Sequence, residues 1–122
     1  AGIFSYGSLR TTCDNQRFPF PSESIEGFRI KGHLYDLGSF PGWRYETWGW
    51  VHGSILSAPL VSRLEQIALC DEIEGENFER RLILAYDKDE APHHIVWAYH
   101  YRKKPDLQKK IRSGLWGALS AE

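Results

Sequence analysis

Residues 4–9 read FSYGSL, Phe4 to Leu9, a strand-like run that meets a glycine and then a hydroxyl. That pairing is ordinary turn chemistry. The same residue types also build a concave cradle of main-chain N–H groups suited to an anion. Gly7 and Ser8 serve either purpose, and the choice depends on the fold that the strand opens. Residues 3–6 therefore read as a short first strand that stops at Gly7.

Outward from that strand the chain favours pleated structure. Its 122 residues include five tryptophans, six tyrosines and six phenylalanines, a bias that leans towards β-sheet. The length suits a single domain over residues 1–122. Such a chain buries roughly 65% of its extended surface, enough for a core without staples. A formal charge of −1 supplies no field for holding a polyanion, so nucleic acid is not an expected partner. No apolar run approaches the ~18 to 20 residues that cross a bilayer, and no membrane partner is expected either. No basic-then-apolar leader pattern is visible at the N-terminus. Cys13 and Cys70 are the only cysteines, read as unpaired thiols of a reducing, cytoplasmic setting.

The periodicity divides the rest. Residues 10–24 are polar and hold two prolines, and read as a connection. Residues 25–37 alternate as one strand, or two broken near Gly32. Residues 38–43, GSFPGW, read as a turn, with two glycines and a proline in six positions. Residues 48–57 form a further strand whose two glycines suggest a bulge or tight curvature. From Pro59 to Cys70 the spacing of Leu60, Leu64, Ile67 and Ala68 predicts a helix, with Pro59 in its first turn. Residues 71–77, DEIEGEN, read as an acidic loop around Gly75. Residues 78–87 and 93–101 alternate as strands. The basic segment from residue 102 onwards reads as a short helix and a loose end. The fold class is α+β, a small mixed β-barrel of about six strands with one main helix.

Taken in order, six landmarks form a series: Tyr6-Gly7-Ser8-Leu9; Gly32-His33-Leu34-Tyr35-Asp36-Leu37-Gly38; Pro41-Gly42; Val51-His52-Gly53-Ser54-Ile55-Leu56; Asp71-Glu72-Ile73-Glu74-Gly75; and Phe78-Glu79-Arg80-Arg81. The series resembles the gamma-glutamyl cyclotransferase-like superfamily, especially its small gamma-glutamylamine cyclotransferase branch. The likeness runs from residue 3 to about residue 101. Neither YGSL nor an acidic stretch before a strand is specific alone; together and in order, with GHLYDLG and PG between them, they are. The resemblance implies a small mixed barrel with a cavity at one end. The loop after the first strand and a glutamate after the helix face each other across it. It also implies an intramolecular reaction: the α-amine of a γ-glutamyl group attacks its own side-chain carbonyl. The products are 5-oxoproline and a free amine or amino acid.

That chemistry needs little equipment. The amine must lose a proton, the five-membered ring supplies most of the proximity, and the carbonyl oxygen wants donors. No cofactor or metal is required. The resemblance gives Glu74 the role of general base. Asp71, Glu72, Glu76 and Glu79 crowd the same stretch, and like charges with partial burial raise a carboxyl pKa towards the range where bases work. Glu72 is the weaker candidate, and Asp71 is expected to cap or tie the loop to the backbone. The resemblance further implies that Gly7, Ser8 and Leu9 present main-chain N–H groups to the substrate, with Tyr6 adding a phenol at the cavity wall. Arg10 is a further anion anchor or an exposed strand-end arginine. Arg80 is open to substrate contact, but it is read first as an ion pair to the acidic loop. Phe78 stands where the family usually has tyrosine, which puts substrate preference in doubt. Tyr35 and Trp43 line the cavity or belong to the core.

Other readings are thinner. The five histidines lack the helical spacing of a zinc site, and YGSL lacks the second glycine of a serine-nucleophile elbow. Six Lys or Arg in residues 102–112 read as a solvated face. The expected partner is a small γ-glutamyl molecule, and the expected state is a monomer or weak homodimer. A cavity that holds a ligand or partner without turnover is the alternative to an enzyme.

Overall fold

The structure of the protein, a computed structural model, describes residues 2–6, 23–57 and 63–116. Its elements are strands β1 (Ile3–Ser5), β2 (Glu23–Lys31), β3 (His33–Asp36), β4 (Pro41–Arg44) and β5 (Trp50–Ser57), then helix α1 (Arg63–Glu74). Strands β6 (Phe78–Tyr86) and β7 (Pro92–Tyr101), a 3₁₀ turn (Leu107–Lys109) and β8 (Lys110–Ile111) follow. The fold is mixed α+β, as the sequence predicts, with eight strands in one sheet ordered β1-β5-β2-β6-β7-β4-β3-β8. An additional parallel bridge, Ile3 to Trp97, returns β7 to β1 and draws five of those strands into a ring. The Trp97 N–H donates to the Gly2 carbonyl at 2.8 Å and fixes that closure.

The break expected near Gly32 is present, between β2 and β3. The alternation of residues 78–87 and 93–101 becomes the long antiparallel ladder of β6 and β7, from Phe78 opposite Tyr101 to Tyr86 opposite Pro92. Ala85, Val96 and Ala98 point inwards and are buried, while Leu82, Leu84 and Ile95 on the other face are exposed. Gly53 has a packing reason: a Cβ there would collide with the Ser5 carbonyl oxygen and the Phe4 ring. Only glycine lets β1 lie this close to β5.

Three expectations are corrected. Residues 38–43 are not wholly a turn, since Pro41 already opens β4, where Trp43 is fully buried. Proline is tolerated at a strand's first residue because its missing N–H leaves no ladder bond broken. The acidic residues 71–74 are not a loop but the last turn of α1, which stops at Gly75. Gly75 has φ 78°, and its N–H donates to the Asp71 carbonyl at 3.0 Å, a left-handed stop that suits glycine. The basic segment does not trail away from residue 102. Its residues 110 and 111 pair with β3, and the His52 N–H donates to the Gly114 carbonyl at 2.8 Å. The expected helix start at Pro59, residues 10–22 of the connection expected over 10–24 and the residues after 116 lie outside the described residues, while Glu23 and Ser24 already belong to β2.

The core has two parts. Inside the ring, Phe4, Tyr6, Ile30, Leu34, Trp43, Val51, Ile55, Ala85, Val96 and Ala98 form one cluster. Beneath α1, Ile3, Leu56, Cys70, Phe78 and Tyr99 form the second. Cys70 is a free thiol, buried, and burial with the nearby carboxylates of Glu74 and Asp71 pushes its pKa up to about 12. It is packing material rather than a nucleophile. Among the described residues, no helix is long and apolar enough to cross a membrane.

His100, on β7, is 4% exposed and meets the Trp43 ring edge-on at 5.1 Å. Burial first, then Arg81 and Arg44, lower its pKa from 6.5 to about 4, against the smaller opposing pull of Glu79. The folded protein therefore holds this imidazole neutral where the unfolded chain would protonate it. Stability should fall as pH drops from 6.5 towards about 4, since the unfolded state then binds the extra proton. Urea unfolding across that window checks this. His100→Phe, which cannot titrate, should show a shallower slope, and an unchanged slope would assign the pH dependence elsewhere.

Candidate functional site

The end of β1 and the end of α1 come together. Tyr6 follows directly on β1 and is buried at 4% exposure. Its hydroxyl donates to the Tyr99 carbonyl at 2.6 Å and accepts from the Trp43 N–H at 3.2 Å. Burial, and next the negative charge of Glu74, push the Tyr6 phenol well above its ordinary pKa. The carboxylate of Glu74, partly buried in the last helical turn, thus acts on the residue immediately before Gly7. It also acts on Cys70, one turn back along the helix. The helix-end glutamate therefore stands within electrostatic reach of Tyr6, the first residue of the YGSL segment. Gly7, Ser8, Leu9 and Arg10 lie outside the described residues.

At the end of α1 opens a cavity of about 330 Å³, lined by Asp71, Gly75, Glu76, Phe78, Arg80, Tyr99 and Arg102; Glu74 and Tyr6, expected on its wall, are not among the lining residues. Arg80 stands on β6 and reaches back to the helix, its Nε donating to Asp71 Oδ1 at 3.0 Å. Its guanidinium lies 4.2 Å from the centre of the Trp97 ring. The ion pair to the acidic stretch is as the sequence suggests, and Arg80 also faces the cavity. Asp71 differs from expectation: its side chain ties α1 to other side chains, not to the backbone. It accepts from Arg80 and from the Tyr99 hydroxyl, the latter at 2.6 Å. Burial, followed by this bond to Asp71, keeps the Tyr99 phenol protonated.

Phe78 lines the cavity, 8% exposed, with its ring 5.5 Å from that of Tyr101 and 6.1 Å from that of Phe40. Tyr35 and Trp43 are buried, the latter with its indole N–H donating to the Lys31 carbonyl at 3.0 Å. Sequence reasoning missed Tyr99 and the hub role of Asp71. Tyr99 is one of four aromatic or apolar residues alternating on a face of β7, and nothing in that period distinguishes it from Trp97 or Tyr101. Among the described residues, no group of three or more His, Cys, Asp or Glu is placed to hold a metal.

Comparison with known proteins agrees with the fold. The family described as gamma-glutamyl cyclotransferase, AIG2-like, matches residues 3–118. The chain is 32% identical over 115 residues to the gamma-glutamylcyclotransferase family protein YtfP of Escherichia coli (strain K12), covering 93% of this chain and 94% of that one. The solution structure of E. coli YtfP superposes with a TM-score of 0.63 at 28% identity, over 98% of this chain and 99% of that one. An uncharacterized protein of Pyrococcus horikoshii shares the fold, with a TM-score of 0.69 at 21% identity over 98% of this chain and 92% of that one.

Tyr6→Phe tests how much the wall depends on one hydroxyl. It would strand the buried Trp43 N–H and remove the donor to Tyr99, where each unsatisfied buried group costs roughly 1–3 kcal/mol. Urea unfolding should show a loss of about 2–4 kcal/mol with an unchanged slope. Undiminished stability would mean that the hydroxyl is not needed to hold the wall.

Proposed function

The chain belongs to the gamma-glutamyl cyclotransferase, AIG2-like family, and on that premise we propose that it converts a small γ-glutamyl substrate into 5-oxoproline and a free amine or amino acid, in a reducing, cytoplasmic setting. What supports this reading is the family match over residues 3–118, together with the position of Glu74 in the last turn of α1, within electrostatic reach of Tyr6, the residue that opens the YGSL segment. A base on the helix and a set of amides after the strand are the two parts that the reaction asks for.

In this reading the substrate's α-ammonium gives a proton to the Glu74 carboxylate. The freed amine attacks the γ-carbonyl carbon, forming the ring C–N bond. Negative charge develops on the carbonyl oxygen, and the main-chain N–H groups of Gly7, Ser8 and Leu9 receive it or the substrate's own carboxylate. The intermediate collapses with cleavage of the bond to the leaving nitrogen. Glu74 returns its proton to that nitrogen, then takes the second proton from the ring nitrogen and passes it to the departing amine, which leaves as an ammonium, so the base ends as it began and no cofactor enters the balance. Arg80 faces the cavity at the end of α1 and offers its remaining N–H groups to the substrate. Phe78 supplies an apolar wall without a hydroxyl.

Incubation with a panel of γ-glutamyl amines and γ-glutamyl amino acids, read by mass spectrometry, should yield 5-oxoproline. Glu74→Gln keeps the size but cannot take the proton. Turnover should fall by roughly 10²- to 10⁴-fold, the usual share of general base catalysis. Affinity for 5-oxoproline should persist. Wild-type turnover in Glu74→Gln would end the mechanism. Ligand binding without any turnover in the parent protein would make the domain a binding module.

A further inference from the structure

The reaction as drawn gives no task to Tyr99, yet two structural ties meet at this one residue. Its side chain is buried, and its O–H is directed at a single oxygen, Asp71 Oδ1, at 2.6 Å. Arg80 Nε donates to the same oxygen at 3.0 Å. Its main chain does something different: the Tyr99 carbonyl accepts the hydroxyl of Tyr6 at 2.6 Å. One position on β7 therefore grips both the last helical turn and the end of β1.

The helical end of this arrangement is closed twice. Asp71 precedes Glu74 by three residues, so the two lie on neighbouring parts of the helix surface. The Gly75 N–H donates to the Asp71 carbonyl at 3.0 Å, which makes the turn containing Glu74 a ring hung on Asp71. Pinning the Asp71 side chain therefore pins the turn. An ion pair whose carboxylate is 44% exposed adds little stability by itself. Its use here is direction, because a rigid guanidinium lying over Trp97 and a buried phenol converge on one atom.

We propose that Tyr99 is a positioning residue that sets the distance and angle between Glu74 and the end of β1 at Tyr6, acting through Asp71 on one side and the Tyr6 hydroxyl on the other. The inference rests on the reading of Glu74 as the base. Tyr99→Phe removes only the hydroxyl and leaves the carbonyl that holds Tyr6. Misplacement of about 1 Å costs as much as 10²-fold in rate. On a γ-glutamyl substrate, kcat should thus fall by about 10- to 100-fold while KM stays within about 2-fold. In an Asp71→Ala background, where the acceptor is already gone, Tyr99→Phe should cause no further loss of kcat.

A second measurement needs no turnover. Amide hydrogen exchange in the full chain should speed up by about 10-fold at residues 74 and 75 in Tyr99→Phe, with the β6–β7 ladder unchanged. Wild-type kcat and wild-type exchange in Tyr99→Phe would overturn the proposal. So would a uniform loss of protection across β6 and β7, since Tyr99 would then be a packing residue only. Glu74→Gln, run alongside, separates the two ideas. Turnover retained there ends the cyclotransferase mechanism and leaves exchange to judge the tie. Turnover lost there but kept in Tyr99→Phe ends the positioning role alone.

Discussion

The fold depends on a side chain standing in for a piece of sheet. β7 is paired with β6 along one edge, but its other edge is shared: Trp97 bridges to β1 and His100 to β4. Between those two positions lies Tyr99, whose carbonyl would have no strand opposite it. Burying an unpaired carbonyl or N–H costs about as much as losing a hydrogen bond. The Tyr6 hydroxyl fills the gap, donating to the Tyr99 carbonyl and accepting from the Trp43 N–H of β4. A phenol that both gives and takes is suited to a fork where one strand edge changes partner. The ring of strands and the β4-β3-β8 extension meet at that oxygen.

The helix is placed by the same neighbourhood. Cys70 packs into the cluster of Ile3, Leu56, Phe78 and Tyr99, so α1 rests on the outer side of the β1–β7 closure. Apolar contact sets the height of the helix over the sheet but is non-directional. The bonds from Arg80 and Tyr99 to Asp71 supply the direction. Gly75 then stops the helix where its last turn faces the cavity. Packing and hydrogen bonding thus do separate work within a few residues.

Much of this was legible in the sequence, and the gaps have physical causes. Strict alternation exposed β6 and β7, because each buries one face; the change of period located α1, although Leu64 of the predicted face is exposed and the residues buried are Gln66 and Cys70. β4 was hidden because Pro41 and Gly42 are turn formers locally. Only tertiary pairing with β3 and β7 makes them strand, and a Cβ on Gly42 would press on the Leu37 side chain. The last turn of α1 was hidden by charge: Asp71, Glu72 and Glu74 look like a solvated loop until Arg80 and Tyr99 are known to answer Asp71. β8 is two residues long and pairs only because β3 offers a free edge. At the site, Glu74 and Arg80 came from motif order. Tyr99 could not, since its bonds run to residues far away in sequence.

The charges around Glu74 follow from these constraints. Tyr6, Cys70 and Tyr99 all have their pKa values driven upwards, burial being the first cause in each. All three therefore stay uncharged near neutral pH. Asp71 is met by Arg80 at 3.0 Å. A base can move a proton only if its neighbours do not compete for it. The phenols and the thiol are kept neutral first by their depth, and the Asp71 side chain is held in place by Arg80 and Tyr99. The same burial that closes the sheet at Tyr6 thus also keeps the phenols and the thiol around the end of α1 uncharged.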